Sequence, residues 1–304
     1  MSSMKLKGVN VDINCQGQCE SCSRFFDCTD SKKLVMYERP IYNELQKNIA
    51  GVRYKIAILS GKGGVGKSTI SVNMAAGLQA QGFKTGIVDL DFSGPSVPHM
   101  LGIAEERPSY DFLKGIIPVR TPLGIEVMST AFIMEADGVI TWVHSLRRGA
   151  VRDFLSRVAW SELDFLIFDL PPGTGSEVIS LLQFIPFMDG AIIVTIPSDV
   201  SQKVARRSIT LCQKAKIKVF GIIENMSGFV CPHCELEVQI LQNGGGEKIA
   251  KEFGLPLLGK IPLDSRICLC ADEGKPFICN YPDSIAAKNF ASVISRIKRC
   301  CKIV

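Results

Sequence analysis

The sequence has no apolar run approaching the roughly 18 residues that a membrane-spanning helix requires, so nothing in it reads as a bilayer span. The opening stretch MSSMKLKGVNVDINCQ carries lysines without a continuous apolar segment behind them, and a secretory signal needs both. The expected location is therefore the cytoplasm, with no stable membrane association. A strong charge of one sign is also missing: 35 Lys and Arg stand against 30 Asp and Glu, a net +5, and the cations are spread along the chain. Charge thus gives no reason to expect a nucleic-acid partner. Internal repeats and low-complexity tracts are absent too, which sets aside solenoids and extended linkers.

What is present is ample for a large core: 304 residues, 46% of them hydrophobic. From Tyr54 onward, short Val/Ile/Leu-rich runs alternate with helix-compatible stretches: KIAILS (55–60), TGIVDL (85–90), IEVMS (125–129), FLIFDL (165–170), AIIVTI (191–196), VFGIIE (219–224) and PLLGKI (256–261). Continuous apolar runs predict strands buried on both faces, and strands separated by helices predict an α/β fold with a doubly wound, mainly parallel sheet. Residues 54–304 form that domain, 34–53 read as a linker, and 1–33, poor in large apolar residues beyond Phe25 and Phe26, read as a small metal-binding arm. Near the end, Phe290, Val293, Ile294, Ile297 and Cys301 recur at helical spacing. A membrane-surface helix has that pattern, but so does any helix packed on a sheet, and the packed helix is the expectation. Cys301-Lys302-Ile303-Val304 also fits a loose prenylation pattern, against which the lysine weighs.

Twelve cysteines in a reducing compartment favour metal ligation or thiol chemistry over disulfides. Cys15, Cys19, Cys22 and Cys28 cluster in the arm, Cys231 and Cys234 form a CxxC, and Cys212, Cys268, Cys270, Cys279, Cys300 and Cys301 are scattered. For Cys268, Cys270 and Cys279 the expectation is burial as small apolar side chains.

After the first strand comes Gly61-Lys62-Gly63-Gly64-Val65-Gly66-Lys67-Ser68-Thr69, a P-loop in its required strand-loop-helix context. Its glycines let backbone N–H groups turn toward phosphate oxygens, Lys67 is placed for the β- and γ-phosphates, and Ser68 for Mg²⁺. Asp89 and Asp91 stand at the tip of the second strand, suited to holding Mg²⁺ through water and to orienting an attacking water. Asp169 ends a buried strand as a Walker B carboxylate does, before a Pro/Gly loop. A single acidic residue at a strand end is more often a turn former, but three behind a P-loop point to ATP and Mg²⁺.

The second lysine, Lys62, makes GKGGVGKST resemble the deviant Walker A loop of the MinD, ParA and nitrogenase iron protein class. That resemblance implies that Lys62 crosses a dimer interface to the facing subunit's phosphates. DLDFSGPSVP, DLPPGTGSE, ENMSGFVCPHC and IPLD, in that order, look like the Mrp/ApbC family of iron-sulfur carrier ATPases, more narrowly those with an N-terminal cysteine arm. The resemblance covers residues 54 to 280. It implies that Asn225 reads adenine, with Pro262 and Asp264 near base and ribose. It further implies that Cys231 and Cys234 share a labile [4Fe-4S] cluster across a homodimer, or a heteromer with a related scaffold, for delivery to recipient apoproteins. The residues alone leave more open: the CPHC spacing also allows a shared Cys₄ zinc or a redox dithiol. In the arm, Cys19, Cys22 and Cys28 match the relatives' spacing, whereas Cys15 lies closer than their first cysteine. Two other functions share the nucleotide motif. A MinD/ParA-like switch has no use for the CxxC, and an iron-protein-like electron donor draws its bridging cysteines from distant positions.

Overall fold

A computed structural model describes residues 39–132, 155–185, 188–230 and 244–303, together with 19, 22, 25–28, 36, 237, 238 and 240. In chain order the strands are β1 (Val52–Ser60), β2 (Thr85–Asp89), β3 (Ser109–Asp111), β4 (Gly115–Ile117), β5 (Val119–Arg120), β6 (Glu126–Ser129), β7 (Leu163–Asp169), β8 (Gly190–Thr195), β9 (Val219–Val230), β10 (Glu237–Val238) and β11 (Leu257–Leu263). The helices are α1 (Pro40–Asn48), α2 (Lys67–Ala80), α3 (Val97–Met100), α4 (Ser176–Phe184), α5 (Asp199–Lys214), α6 (Gly245–Phe253), α7 (Ser265–Asp272), α8 (Phe277–Asn280) and α9 (Ile285–Cys300). All seven apolar runs are strands, and the sixth, expected to stop at Glu224, continues to Val230.

One sheet runs β10-β9-β8-β1-β7-β2-β6-β5, with β11 also paired to β9, while β3 and β4 form a separate hairpin. Its interior pairings are parallel, and β5 and β10 join antiparallel. Alternate residues of each central strand feed opposite core layers. Leu59, Val88, Phe168 and Ile193 pack with side chains of α1, α4, α5 and α6, while Ile58, Ile87, Ile167 and Ile192 pack with α2, α8 and α9. Both faces are therefore covered, which is why the strands carry continuous apolar runs. α9 buries Phe290, Val293, Ile294 and Ile297, with Cys301 buried at its cap, and it lies close enough to α2 that a side chain at Gly77 would collide with Ile294.

Two expectations need correction. Residues 40–53 are not a linker: Pro40 opens α1, Tyr42 and Leu45 are buried, and β1 already begins at Val52. Phe25 and Met36 are buried in the same core layer, so the described part of the N-terminal segment is anchored to the domain. Of Cys268, Cys270 and Cys279, only Cys270 is buried, because α7 and α8 are short and each turns a single side chain, Cys270 and Phe277, fully inward.

Candidate nucleotide site

β1 ends at Ser60, and the chain turns through residues 61–66 before α2 starts at Lys67. Gly66 has φ 80° and lies so close to Asn225 that a Cβ there would stand 2.2 Å from Asn225 Nδ2, so only glycine fits. Val204 of α5 packs against Gly61 in the same way, fixing where the loop begins. The loop from Lys62 to Thr69, with Asp91 and Pro172, lines a cleft of about 220 Å³. Lys62 is exposed at this cleft.

β2 and β7 are neighbours, and their register sets Asp89 beside Asp169 at the strands' C-terminal ends. Asp169 is fully buried. Its Oδ2 accepts a hydrogen bond from Ser68 Oγ at 2.6 Å and its Oδ1 from Ser71 Oγ at 2.7 Å, and Lys67 Nζ lies 2.8 Å from Oδ2. Asp89, equally buried, accepts from the backbone N–H groups of Asp91 and Val97, each at 3.2 Å, and from Ser129 Oγ at 3.1 Å. Burial above all, and then the charge of Asp169, push the Asp89 carboxyl up to about 7, against the opposing pull of Lys67 and the two backbone donors. Two buried carboxylates and a serine hydroxyl make a hard, oxygen-rich donor set, the chemistry that Mg²⁺ selects. Asp91 is half-buried at the cleft and accepts from Ser93 N–H at 3.0 Å.

Asn225 donates its side-chain amide to the Val65 carbonyl at 2.8 Å, which makes it a brace on the loop. Pro262 is buried in β11. Asp264 caps α7 through Arg266 N–H at 3.0 Å and pairs with the Arg266 guanidinium at 2.9 and 2.6 Å. Cys15, Cys231 and Cys234 lie outside the described residues. The segment 231–236 joins Val230 to Glu237, which are partners across β9 and β10. Cys19, Cys22, Phe25 and Cys28 are linked by successive backbone hydrogen bonds at three-residue steps. Among the described residues no three His, Cys, Asp or Glu side chains gather closely enough to hold a metal ion, so Cys19, Cys22 and Cys28 do not form such a group. Sequence reasoning missed Ser71, although its place one turn after Lys67 was a signal, and Glu224, whose motif neighbour Asn225 drew the attention.

Residues 51–298 match the sequence profile described as the ParA, NUBPL iron-transfer P-loop NTPase family. The chain belongs to this family. An iron-sulfur cluster carrier protein of Methanococcus maripaludis is 44% identical over 284 residues, 93% of this chain and 96% of that one. The cytosolic Fe-S cluster assembly factor NUBP2 of Mus musculus is 42% identical over 255 residues, 82% of this chain and 92% of its own. A nucleotide-binding protein of Archaeoglobus fulgidus, solved in complex with ADP, superposes with a TM-score of 0.69 at 36% identity, covering 77% of this chain and 91% of that one. This P-loop NTPase thus has the expected doubly wound fold, and among its described residues no helix is long and apolar enough to cross a membrane.

Proposed function

We propose that this P-loop NTPase is an ATP-hydrolysing carrier that holds a labile [4Fe-4S] cluster between two subunits and hands it to apoproteins in the cytoplasm. The observation that carries this reading is the coincidence, over 93% of the chain, of a 44% identical iron-sulfur carrier with a deviant P-loop whose extra lysine stands exposed at the phosphate cleft. The backbone of Gly61, Gly63, Gly64, Val65 and Gly66 cradles phosphate oxygens, assisted by the positive end of α2 and by Thr69 at its first turn. Lys67 exchanges Asp169 for the β- and γ-phosphates, an exchange between two anionic partners. Ser68, with Asp89 and Asp169, holds Mg²⁺, which neutralises charge on the phosphate oxygens. Asp91 orients the attacking water, and Lys62 reaches the nucleotide of the facing subunit. Asn225 presents its carbonyl oxygen to adenine while its amide stays on Val65, and Pro262 and Asp264 border base and ribose.

The cargo cluster needs four thiolates, and each subunit offers Cys231 and Cys234. A two-fold axis brings identical residues together, so a homodimer, or a pair with a related scaffold subunit, completes the set. Cys15, Cys19, Cys22 and Cys28 supply four more thiolates, which gather as they bind a second cluster. Anaerobic reconstitution followed by incubation with an apo iron-sulfur enzyme tests the reading. ATP-dependent gain of activity in the recipient is expected, and recipient activation that a Lys67→Ala carrier supports equally well would overturn it.

A further inference from the structure

β9 carries Asn225 at the nucleotide site and runs on to the hairpin whose connection contains Cys231 and Cys234. Midway it departs from strand geometry. Met226 has φ 55° and Gly228 φ 78°. The partner register jumps here as well: Ile261 of β11 pairs with Asn225 and Leu263 with Phe229, so three residues of β9 face the single residue Pro262. Pro262 has no N–H to donate, and the strand bulges opposite it. A non-glycine residue in the left-handed region persists only where its surroundings hold it there.

The holding groups lie on two sides. Toward the P-loop, Asn225 donates to Val65, and the Met226 methyl lies 3.9 Å from where a Cβ on Gly66 would stand. Away from it, the fully buried Glu224 carboxylate accepts from Ser227 Oγ at 2.5 Å, spanning the bulge, and from the Gly246 N–H at the start of α6. One side of the bulge is therefore fastened to the phosphate loop and the other to the helix layer. Beyond it, Phe229 and Val230 pair with Val238 and Glu237.

Building on the carrier reading, we propose that Met226–Gly228 is a hinge that passes the state of the P-loop to the β9–β10 hairpin, and that Glu224 is its positioning residue. When the loop around Val65 and Gly66 closes on a triphosphate, Asn225 and Met226 move with it. The Glu224–Ser227 anchor turns that displacement into rotation of the strand beyond. Glu224 touches no nucleotide and no cargo; it acts through Ser227 and α6.

Hydrogen–deuterium exchange on the full-length, cluster-free protein tests this, comparing Mg·ADP with a non-hydrolysable Mg·ATP analogue. Exchange at 226–230 and 237–238 is expected to differ between the two states by about fivefold or more, the low end of usual site-to-site coupling. Glu224→Gln, whose amide nitrogen cannot accept, should reduce that contrast below about twofold while nucleotide affinity stays within about twofold of the parent. Met226→Gly relieves the left-handed residue while leaving Glu224 in place, and it should reduce the contrast in the same way in a protein that keeps its fold. A merely structural Glu224 would raise exchange equally in both states. That result, or an undiminished contrast in Met226→Gly, or a parent protein whose 61–69 segment responds to nucleotide while 226–230 does not, overturns the hinge. Since no cluster is present, the outcome is independent of whether the chain carries one.

Discussion

The residues around the phosphate cleft form a charge-balanced set that reorganises rather than a row of independent ligands. Lys67 is almost wholly buried and its ammonium is matched by Asp169, so Asp169→Ala should do more than impair Mg²⁺ binding. It strands a buried cation and should cost the nucleotide-free protein about 3 kcal/mol, while Asp169→Asn, which fills the same space and keeps one acceptor oxygen for the serines, should cost less; urea denaturation of the two variants measures the difference. Asp89 gives a pH signature. Its carboxyl titrates near 7 in the folded protein and at 3.8 in the reference state, so between those values the folded chain holds a proton that the unfolded chain has lost. The cost of ionising it in place is absent below about pH 4, grows as pH rises toward 7 and is constant above. Metal-free protein should therefore lose stability between about pH 4 and pH 7 relative to Asp89→Asn, and a flat difference over that range would mean that Asp89 is ionised throughout. The P-loop and all three aspartates were legible in the sequence because spacing along the chain places them. The Asn225 bond to Val65 was not, since it joins positions 160 residues apart and no local pattern encodes it.

At the scale of elements, the parallel strands were legible for a physical reason: burial on both faces writes a continuous apolar run. α1 was hidden because it is short, amphipathic and flanked by polar chain, although Pro40 at its start and Tyr42, Leu45 and Ile49 on one side were the signal. Its burial changes what truncation should do. Removal of residues 1–53 takes away Tyr42, Leu45 and Val52 and should give insoluble protein, whereas Leu45→Ala in the full chain should lower stability by about 3 kcal/mol with nucleotide affinity retained. Calorimetric melting and nucleotide titration of Leu45→Ala separate the two effects, and an unchanged melting temperature would show that α1 contributes little. The bulge in β9 also escaped the sequence. Met226 and Gly228 lie past the run 219–224 that reads as strand, and the departure falls opposite Pro262 on the neighbouring β11.

At the scale of the whole molecule, one sheet carries the phosphate loop at the end of β1 and the CPHC connection beyond β9, two strands away. On the proposed reading, a closed dimer gives both sites their missing groups: Lys62 for the facing nucleotide and a second cysteine pair for the cluster. Lys62→Ala should accordingly keep ATP affinity within about threefold and lose most hydrolysis, because a lysine supplied in trans acts when charge develops in the transition state. Equal losses in binding and turnover, measured by titration and steady-state phosphate release, would make Lys62 an ordinary loop residue. The central claim, a cluster shared by two cysteine pairs, is tested most directly by iron and acid-labile sulfide analysis of the anaerobically reconstituted full-length protein beside Cys231→Ser. Half of a four-iron cluster belongs to each subunit, so the substitution should remove about two iron and two sulfide per monomer and leave the arm's content in place. Iron and sulfide unchanged by Cys231→Ser would contradict it.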